Sequence, residues 1–89
     1  MIETSVRIIN KLGLHARASA KFVSTAAKFQ SQIEVIKQSQ KVNGKSIMGV
    51  MMLAATQGSE LIIKIEGPDE KDMEQALIEL IENRFDEPE

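Results

Sequence analysis

The sequence contains no cysteine, no tryptophan and no tyrosine, and its only aromatic residues are three phenylalanines. Without cysteine, the chain can form neither a disulfide framework nor a thiolate metal site, and it has no thiol nucleophile. A small domain without disulfides suits a reducing compartment. Because aromatic residues are scarce, we expect an aliphatic, methionine-rich core, for which the 43% of hydrophobic residues provide enough material.

Long apolar segments and an excess of basic charge are also absent. No apolar run approaches the ~20 residues that span a bilayer, and the N-terminal residues MIETSVRII lack the basic and long apolar regions of a signal peptide. We therefore predict a cytoplasmic protein without membrane insertion. The formal net charge of −2 and the scattered lysines argue against nucleic acid as a partner. The length of 89 residues predicts a single domain over residues 1–89.

Alternation of apolar and polar residues predicts four strands. The apolar residues Ile2, Val6 and Ile8 alternate with polar ones, which is typical of a strand with one solvated face. Short apolar or alternating stretches predict the other strands at residues 33–36, 41–42 and 61–65. None of these strands carries the aromatic residues on which RNA-binding sheets stack bases, so an RNA-binding module is set aside.

Three helices are predicted between and after these strands. Small and apolar residues recur at helical spacing from Ala16 onward. A second helix follows Ser46, with Gly58 as its C-cap, and a third begins with Asp69 as its N-cap. A short acidic tail, residues 86–89, ends the chain. The order β-α-β-β-α-β-α predicts an α+β open-faced sandwich, in which three helices cover one side of a mainly antiparallel four-stranded sheet.

The stretch KLGLHARAS, residues 11–19, contains the only histidine. The tight turn LGL allows His15 to occupy the N-cap of the first helix. There the backbone N–H groups of Ala16 and Arg17 lack intrahelical partners and the helix dipole is positive, which together form an anion site. Arg17 adds a permanent cation that can pair with a phosphate. Because an unprotonated imidazole nitrogen is a nucleophile, this arrangement indicates a histidine that accepts a phosphoryl group.

A plain surface or capping role is the simplest alternative for His15, and other chemistries lack partners in the sequence. One histidine without a nearby carboxylate or thiolate supplies too few ligands for a closed zinc site. A catalytic triad lacks parts, because no acid or nucleophile stands beside His15, although a distant acid could fold in. Acid–base catalysis at this position has no support in the sequence.

The segment KVNGKSIMGVMMLAA raises a different question. Ser46 before an apolar run indicates a helix N-cap, but only half a capping box, because Gly49 stands where a glutamate or glutamine is expected. The helix that follows has almost no polar face, and a middle helix in so short a chain can hardly be enclosed on all sides. We therefore expect a docking patch rather than core filler alone. The exposed residues are expected among Ile47, Met48, Met51 and Met52.

Together the two segments resemble the signatures of one family. GLHARAS is similar to the active-site signature, and NGKSIMGVMMLAA to the regulatory-serine signature, of HPr, the histidine-containing phosphocarrier family of the bacterial phosphoenolpyruvate-dependent sugar phosphotransferase system. The signatures stand in the family's order, about thirty residues apart, and the resemblance runs from the first predicted strand to Phe85.

The resemblance implies a carrier rather than an enzyme. His15 would accept a phosphoryl group on Nδ1 from phosphorylated enzyme I and pass it to the IIA proteins or domains of sugar permeases, with Arg17 steadying the phosphate. Ser46 would receive a regulatory phosphate from an ATP-dependent HPr kinase/phosphorylase. We expect no cofactor, no metal and a monomeric state. The apolar docking surface shared by successive partners would consist of Ala16, Ala20, Ile47, Met48 and Met51.

Ala18 departs from the family pattern, which often has proline directly after the arginine. Proline suits the first turn of a helix, but alanine is an excellent helix residue, so we expect phosphoryl transfer to persist. The alternative function is a regulatory adaptor controlled through Ser46, with little or no role in sugar transport. The intact serine signature makes the nitrogen-related paralogue of the system a less favoured interpretation.

Overall fold

The alternating segments form one four-stranded antiparallel sheet in the computed structural model, which describes residues 1–89. The strands are β1 (Ile2–Arg7), β2 (Gln32–Lys37), β3 (Gln40–Asn43) and β4 (Glu60–Glu66). β4 lies between β1 and β2, and β3 forms the far edge, so the spatial order is β1-β4-β2-β3. Ile63 of β4 faces Thr4 of β1 on one side and Val35 of β2 on the other.

Three helices, α1 (Ala16–Ala26), α2 (Ile47–Met52) and α3 (Glu70–Glu82), complete the predicted order, so the predicted α+β open-faced sandwich is confirmed. The apolar stripe of α3 packs into the core through Met73, Leu77 and Ile81. Phe22 of α1 is fully buried in the same core, and burial of such a side chain stabilises the fold by about 2–3 kcal/mol. None of these helices combines the length and the apolar character that crossing a membrane requires.

The second helix is shorter than predicted, because it ends with Leu53 as its C-cap and not at Gly58. The residues after it pair with the segment between β1 and α1 instead. The carbonyl of Ala55 accepts a hydrogen bond from the N–H of Leu14 at 2.8 Å, and the N–H of Gly58 donates to the carbonyl of Ile8 at 2.7 Å. Tertiary hydrogen bonds thus end the helix before its apolar pattern does, and the predicted C-cap was wrong.

Asp69 stands at the predicted N-cap of α3, but its carboxylate makes no capping hydrogen bond. It accepts hydrogen bonds from the N–H groups of Gln30 and Ser31, both at 2.9 Å, and from the Ser31 hydroxyl at 2.5 Å. The Ser31 hydroxyl and these N–H groups lower the pKa of Asp69 below its usual value and outweigh the opposing effect of burial. The side chain therefore ties the start of α3 to the segment before β2.

Candidate functional site

A tight loop between β1 and α1 places His15 at the N-cap of α1, as predicted. Gly13 adopts a φ of +68°, a left-handed conformation that glycine accepts without the penalty of a side chain. Leu14 is buried, and its N–H donates to the carbonyl of Ala55 at 2.8 Å. The side-chain amide of Asn10, also buried, donates to the carbonyl of Gly13 at 2.9 Å. His15 therefore follows a loop whose backbone is held from two sides.

The first turn of α1 has backbone N–H groups that are free to bind a ligand. Ala16, Arg17 and Ala18 donate no hydrogen bond within the chain, and the side chain of His15 does not cap them. Arg17 is exposed, and its guanidinium forms no ion pair within the chain. Unpaired donors, the positive end of the helix dipole and a free cation together favour an anion in front of α1.

A carboxylate from the other end of the chain contacts the histidine. Nε2 of His15 forms a hydrogen-bonded pair with Oε2 of Glu87, which lies 72 residues later. The other carboxylate oxygen, Oε1, accepts a hydrogen bond from Nδ2 of Asn10 at 3.0 Å. The side chain of Glu87 is 9% exposed and that of His15 is 29% exposed. Glu87 is thus an acidic partner of His15 from a distant part of the chain, since no acidic residue stands beside His15 in the sequence.

The hydrogen bonds of Glu87 determine its charge state. Burial raises the pKa of this carboxyl, but the hydrogen bonds from Asn10 and His15, together with the charges of His15 and Lys21, outweigh burial and leave the pKa below its usual value. The carboxylate form is therefore the stable one at neutral pH. An ionised carboxylate can only accept hydrogen bonds, so it requires a proton on Nε2 of His15.

The acidic tail folds back over the site instead of extending from the last helix. Arg84, Phe85 and Asp86 have φ values of 56°, 52° and 61°, so three consecutive residues form a left-handed turn. Phe85 is fully buried, and its carbonyl accepts a hydrogen bond from Nζ of Lys21 at 2.7 Å. The one sequence signal for this arrangement is Phe85 itself, a large apolar residue within an otherwise polar segment.

An open pocket of about 550 Å³ lies in front of His15. Its charged lining combines two cations, Lys11 and Arg17, with the carboxylates of Glu87 and Glu89. Nζ of Lys11 pairs with Oε2 of Glu89 at 3.3 Å, which leaves Arg17 as the unpaired cation of the pocket. The structure contains no group of three or more His, Cys, Asp or Glu side chains arranged to hold a metal ion.

Ser46 occupies the N-cap of α2, as predicted. Its Oγ accepts a hydrogen bond from the N–H of Gly49 at 3.0 Å. A Cβ at Gly49 would lie 3.2 Å from Oγ of Ser46, so glycine at that position leaves room for the cap. Ser46 itself is half-buried, at the beginning of an apolar helix.

Most apolar side chains of α2 are exposed, next to α1, against which α2 packs, and only Val50 is buried in the core. Met48 is 70% exposed, and the predicted neighbours Ile47, Met51 and Ala16 are exposed as well, with Ala20 half-buried. Met52, which was also expected among the exposed residues of this helix, is 65% exposed. Leu12 lies outside the predicted residues and is 67% exposed. Such a concentration of exposed apolar side chains is typical of interaction surfaces.

Comparison with known proteins identifies the family. A family model described as PTS HPr component phosphorylation site matches residues 2–83. The chain belongs to the HPr family. This match confirms the resemblance found in the two signatures. HPr proteins are phosphocarriers of the phosphotransferase system and not catalytic enzymes. The HPr family match stops at residue 83, and the tail that carries Glu87 lies beyond it.

The HPr relatives match the chain over its length. Phosphocarrier protein HPr of Xylella fastidiosa strain Temecula1 is 54% identical over 87 residues, or 98% of each chain. A crystal structure of HPr-C-His from Thermoanaerobacter tengcongensis has a TM-score of 0.96 and 50% identity, and covers 100% of both chains. A crystal structure of an HPr dimer from the same organism has a TM-score of 0.78 and 52% identity, covering 98% of this chain and 100% of that one.

Proposed function

We propose that the chain accepts a phosphoryl group on Nδ1 of His15 from phosphorylated enzyme I and passes it to IIA proteins or domains of sugar permeases. The observation that carries this proposal is the position of the imidazole. His15 stands at the N-cap of α1, Nε2 is occupied by Glu87, and Nδ1 makes no hydrogen bond within the chain. The nitrogen that remains free is the one that the family resemblance assigns to the phosphoryl group.

The transfer is a displacement at phosphorus. The lone pair of Nδ1 forms the new N–P bond, the bond between phosphorus and the donor breaks, and its electron pair returns to the donor. The proton on Nε2 stays on the ring, which becomes a cation beside the carboxylate of Glu87. The phosphoryl oxygens meet the free N–H groups of Ala16 and Arg17 and the guanidinium of Arg17, which stabilise their charge. Transfer to a IIA nucleophile reverses these steps.

The exposed apolar surface of α1 and α2 serves as the docking site for these partners. Ala16, Ala20, Ile47, Met48 and Met51 form this docking surface, and Leu12 and Met52 extend it. Methionine side chains are flexible and polarizable, so one surface can adapt to partners of different shape. A carrier that must bind a donor and then several acceptors needs this property.

The test is incubation of the protein with enzyme I and labelled phosphoenolpyruvate. We expect label that is lost in acid, because phosphohistidine is acid-labile and phosphoserine is not, and we expect none in His15→Ala. Met48→Ser should slow labelling without lowering stability, since Met48 is 70% exposed. Absence of label in the wild-type protein, or label that persists in His15→Ala, would contradict the assignment.

A second, regulatory function at Ser46 is favoured by its position next to the docking surface. A phosphate on Ser46 adds roughly −1.5 to −2 charges at pH 7, directly before the exposed side chains of Ile47 and Met48. HPr kinase/phosphorylase is the proposed enzyme. Incubation with that kinase and ATP should give acid-stable label in the wild-type protein and none in Ser46→Ala. A genome that encodes enzyme I, a IIA protein and the kinase but no sugar permeases would favour a purely regulatory adaptor.

The proposed carrier works as one domain over residues 1–89, as a monomer in the cytoplasm. The monomeric state stays a prediction, because an HPr relative from Thermoanaerobacter tengcongensis is described as a dimer. Light scattering at the concentration used for labelling measures the mass directly. If a dimer is labelled as fast as the monomer, the proposed carrier function does not require the monomeric state.

A further inference from the structure

The carboxylate of Glu87 holds the imidazole nitrogen opposite the one that is proposed to carry the phosphoryl group. We propose that Glu87 is a positioning residue: it keeps the proton of His15 on Nε2 and thereby leaves the lone pair on Nδ1. This inference rests on the proposed function of His15. It concerns a part of the chain, beyond residue 83, that the family match does not include.

The hydrogen bonds around Asn10 define the direction of each bond in this cluster. Nδ2 of Asn10 lies 2.9 Å from the carbonyl of Gly13 and 3.0 Å from Oε1 of Glu87. Both partners are acceptors, so the amide must present its NH₂ group to them. Oδ1 of Asn10 is buried without a partner. The opposite orientation of the amide would set Oδ1 against two other oxygens and give it no donor, so it is excluded. Asn10 therefore fixes Oε1, and Oε2 remains for Nε2–H of His15.

The tail that carries Glu87 adopts an unfavourable backbone conformation, which contacts with the rest of the chain stabilise. Three consecutive left-handed residues are strained, because the Cβ of each approaches the following carbonyl oxygen. Burial of Phe85 and the hydrogen bond from Lys21 to its carbonyl offset this strain. The turn ends with the N–H of Glu87 donating to the carbonyl of Arg84 at 2.9 Å, and the side chain of Glu87 contacts His15. Strain maintained by such contacts is typical of functional sites.

The consequence for phosphoryl transfer has two parts. A neutral imidazole with its proton on Nε2 is the tautomer whose Nδ1 can attack phosphorus, so Glu87 raises the population of the reactive form. During transfer the ring becomes a cation that retains the Nε2 proton, and the adjacent carboxylate stabilises that charge. No proton has to enter or leave the ring in the step.

Two substitutions at Glu87 distinguish this role from a structural one. In Glu87→Gln, Asn10 continues to donate to the side-chain oxygen, so the amide NH₂ group faces Nε2 of His15. The ring then has to accept at Nε2 and carry its proton on Nδ1, which blocks the nucleophile. Glu87→Ala only removes the bias toward either tautomer. The isosteric variant should therefore be the slower one, which is the reverse of what loss of packing predicts.

The measurements are the imidazole ¹⁵N shifts of the unphosphorylated protein at about pH 9, where an imidazole is neutral, and the rate of labelling by enzyme I. We expect a protonated Nε2 in the wild-type protein, a mixture in Glu87→Ala and a protonated Nδ1 in Glu87→Gln. Labelling of Glu87→Gln should be about tenfold slower than that of Glu87→Ala, the factor that corresponds to one net hydrogen bond. Glu82→Gln, which removes the same charge from an exposed side chain that forms no hydrogen bond, should match the wild type.

Unchanged ¹⁵N shifts in both variants, or labelling of Glu87→Gln at least as fast as that of Glu87→Ala, would overturn the proposal. Failure of the proposed function looks different. In that case the wild-type protein takes up no label, while the ¹⁵N shifts still report whether Glu87 holds the proton on Nε2.

Discussion

Replacement of Gly13 by alanine tests how the loop before His15 is built. Gly13 has a φ of +68°, and a Cβ added there would lie 2.4 Å from the carbonyl oxygen of Ala55 and 2.9 Å from the Cα of Thr56. The left-handed conformation alone costs alanine about 1–2 kcal/mol. The steric conflict is with backbone atoms, so no side-chain rotation can relieve it. The loop must move away from Ala55.

The movement has a calculable effect on stability. It breaks the hydrogen bond from Leu14 N–H to the Ala55 carbonyl, 2.8 Å long, in a buried region. Leaving such groups unpaired costs about 1–3 kcal/mol. We therefore expect Gly13→Ala to lower the free energy of unfolding by about 3 kcal/mol. The same shift displaces His15 at the N-cap, so labelling by enzyme I should slow as well.

Gly58→Ala is the matched control. Gly58 also has a positive φ, +91°, but a Cβ there would meet no atom within 4 Å. This variant carries backbone strain without a steric conflict, and its expected loss is about 1–2 kcal/mol. If backbone conformation alone mattered, the two variants would lose similar free energies of unfolding. The contact of the new Cβ with the backbone makes the loss larger in Gly13→Ala.

Urea unfolding followed by circular dichroism measures both variants. With a slope of about 1 kcal/mol per molar urea for a small protein, the midpoint should fall by about 3 M for Gly13→Ala and by 1–2 M for Gly58→Ala. A Gly13→Ala variant as stable as Gly58→Ala, labelled at the wild-type rate, would refute the close approach of the loop to Ala55.

Three further substitutions test other features. Asp69→Asn should lower the urea midpoint at neutral pH, because the amide accepts hydrogen bonds from Ser31 less well than the carboxylate. The pKa of Asp69 is lowered in the folded state, so the stabilisation by its carboxylate is complete above about pH 3.8 and is lost as the pH falls through the folded-state pKa. The urea midpoints of the wild type and Asp69→Asn should therefore converge in acid. A difference between them that stays constant with pH would contradict this. Ser46→Asp should slow labelling of His15 while the urea midpoint stays close to the wild-type value, and an unchanged rate would remove interference with docking as the regulatory mechanism. Ala18→Pro loses no backbone hydrogen bond, because the N–H of Ala18 has no acceptor. It should raise the free energy of unfolding by about 0.4–1 kcal/mol, because proline lowers the conformational entropy of the unfolded chain. A lower urea midpoint would show that the buried site of Ala18 cannot accommodate the proline ring.

The local sequence pattern was sufficient to predict the strands and helices and the positions of two candidate functional residues. Alternation in β1 and β4 and the apolar spacing in α3 are properties of a few neighbouring residues, and each formed as predicted. His15 and Ser46 could be assigned to N-caps for the same reason, since a cap depends on the turn before it and the helix after it. The family followed from the two signatures that contain these residues.

Other features depended on packing between distant segments. The C-terminus of α2 is determined by the hydrogen bond between Ala55 and Leu14, and Asp69 bonds to Ser31 instead of capping its own helix. The pairing of His15 with Glu87 needs a buried Phe85, which turns the tail back toward the start of α1. A residue pair separated by 72 positions has no periodicity to reveal it, because its contact exists only once the sheet and helices have brought the two ends of the chain together.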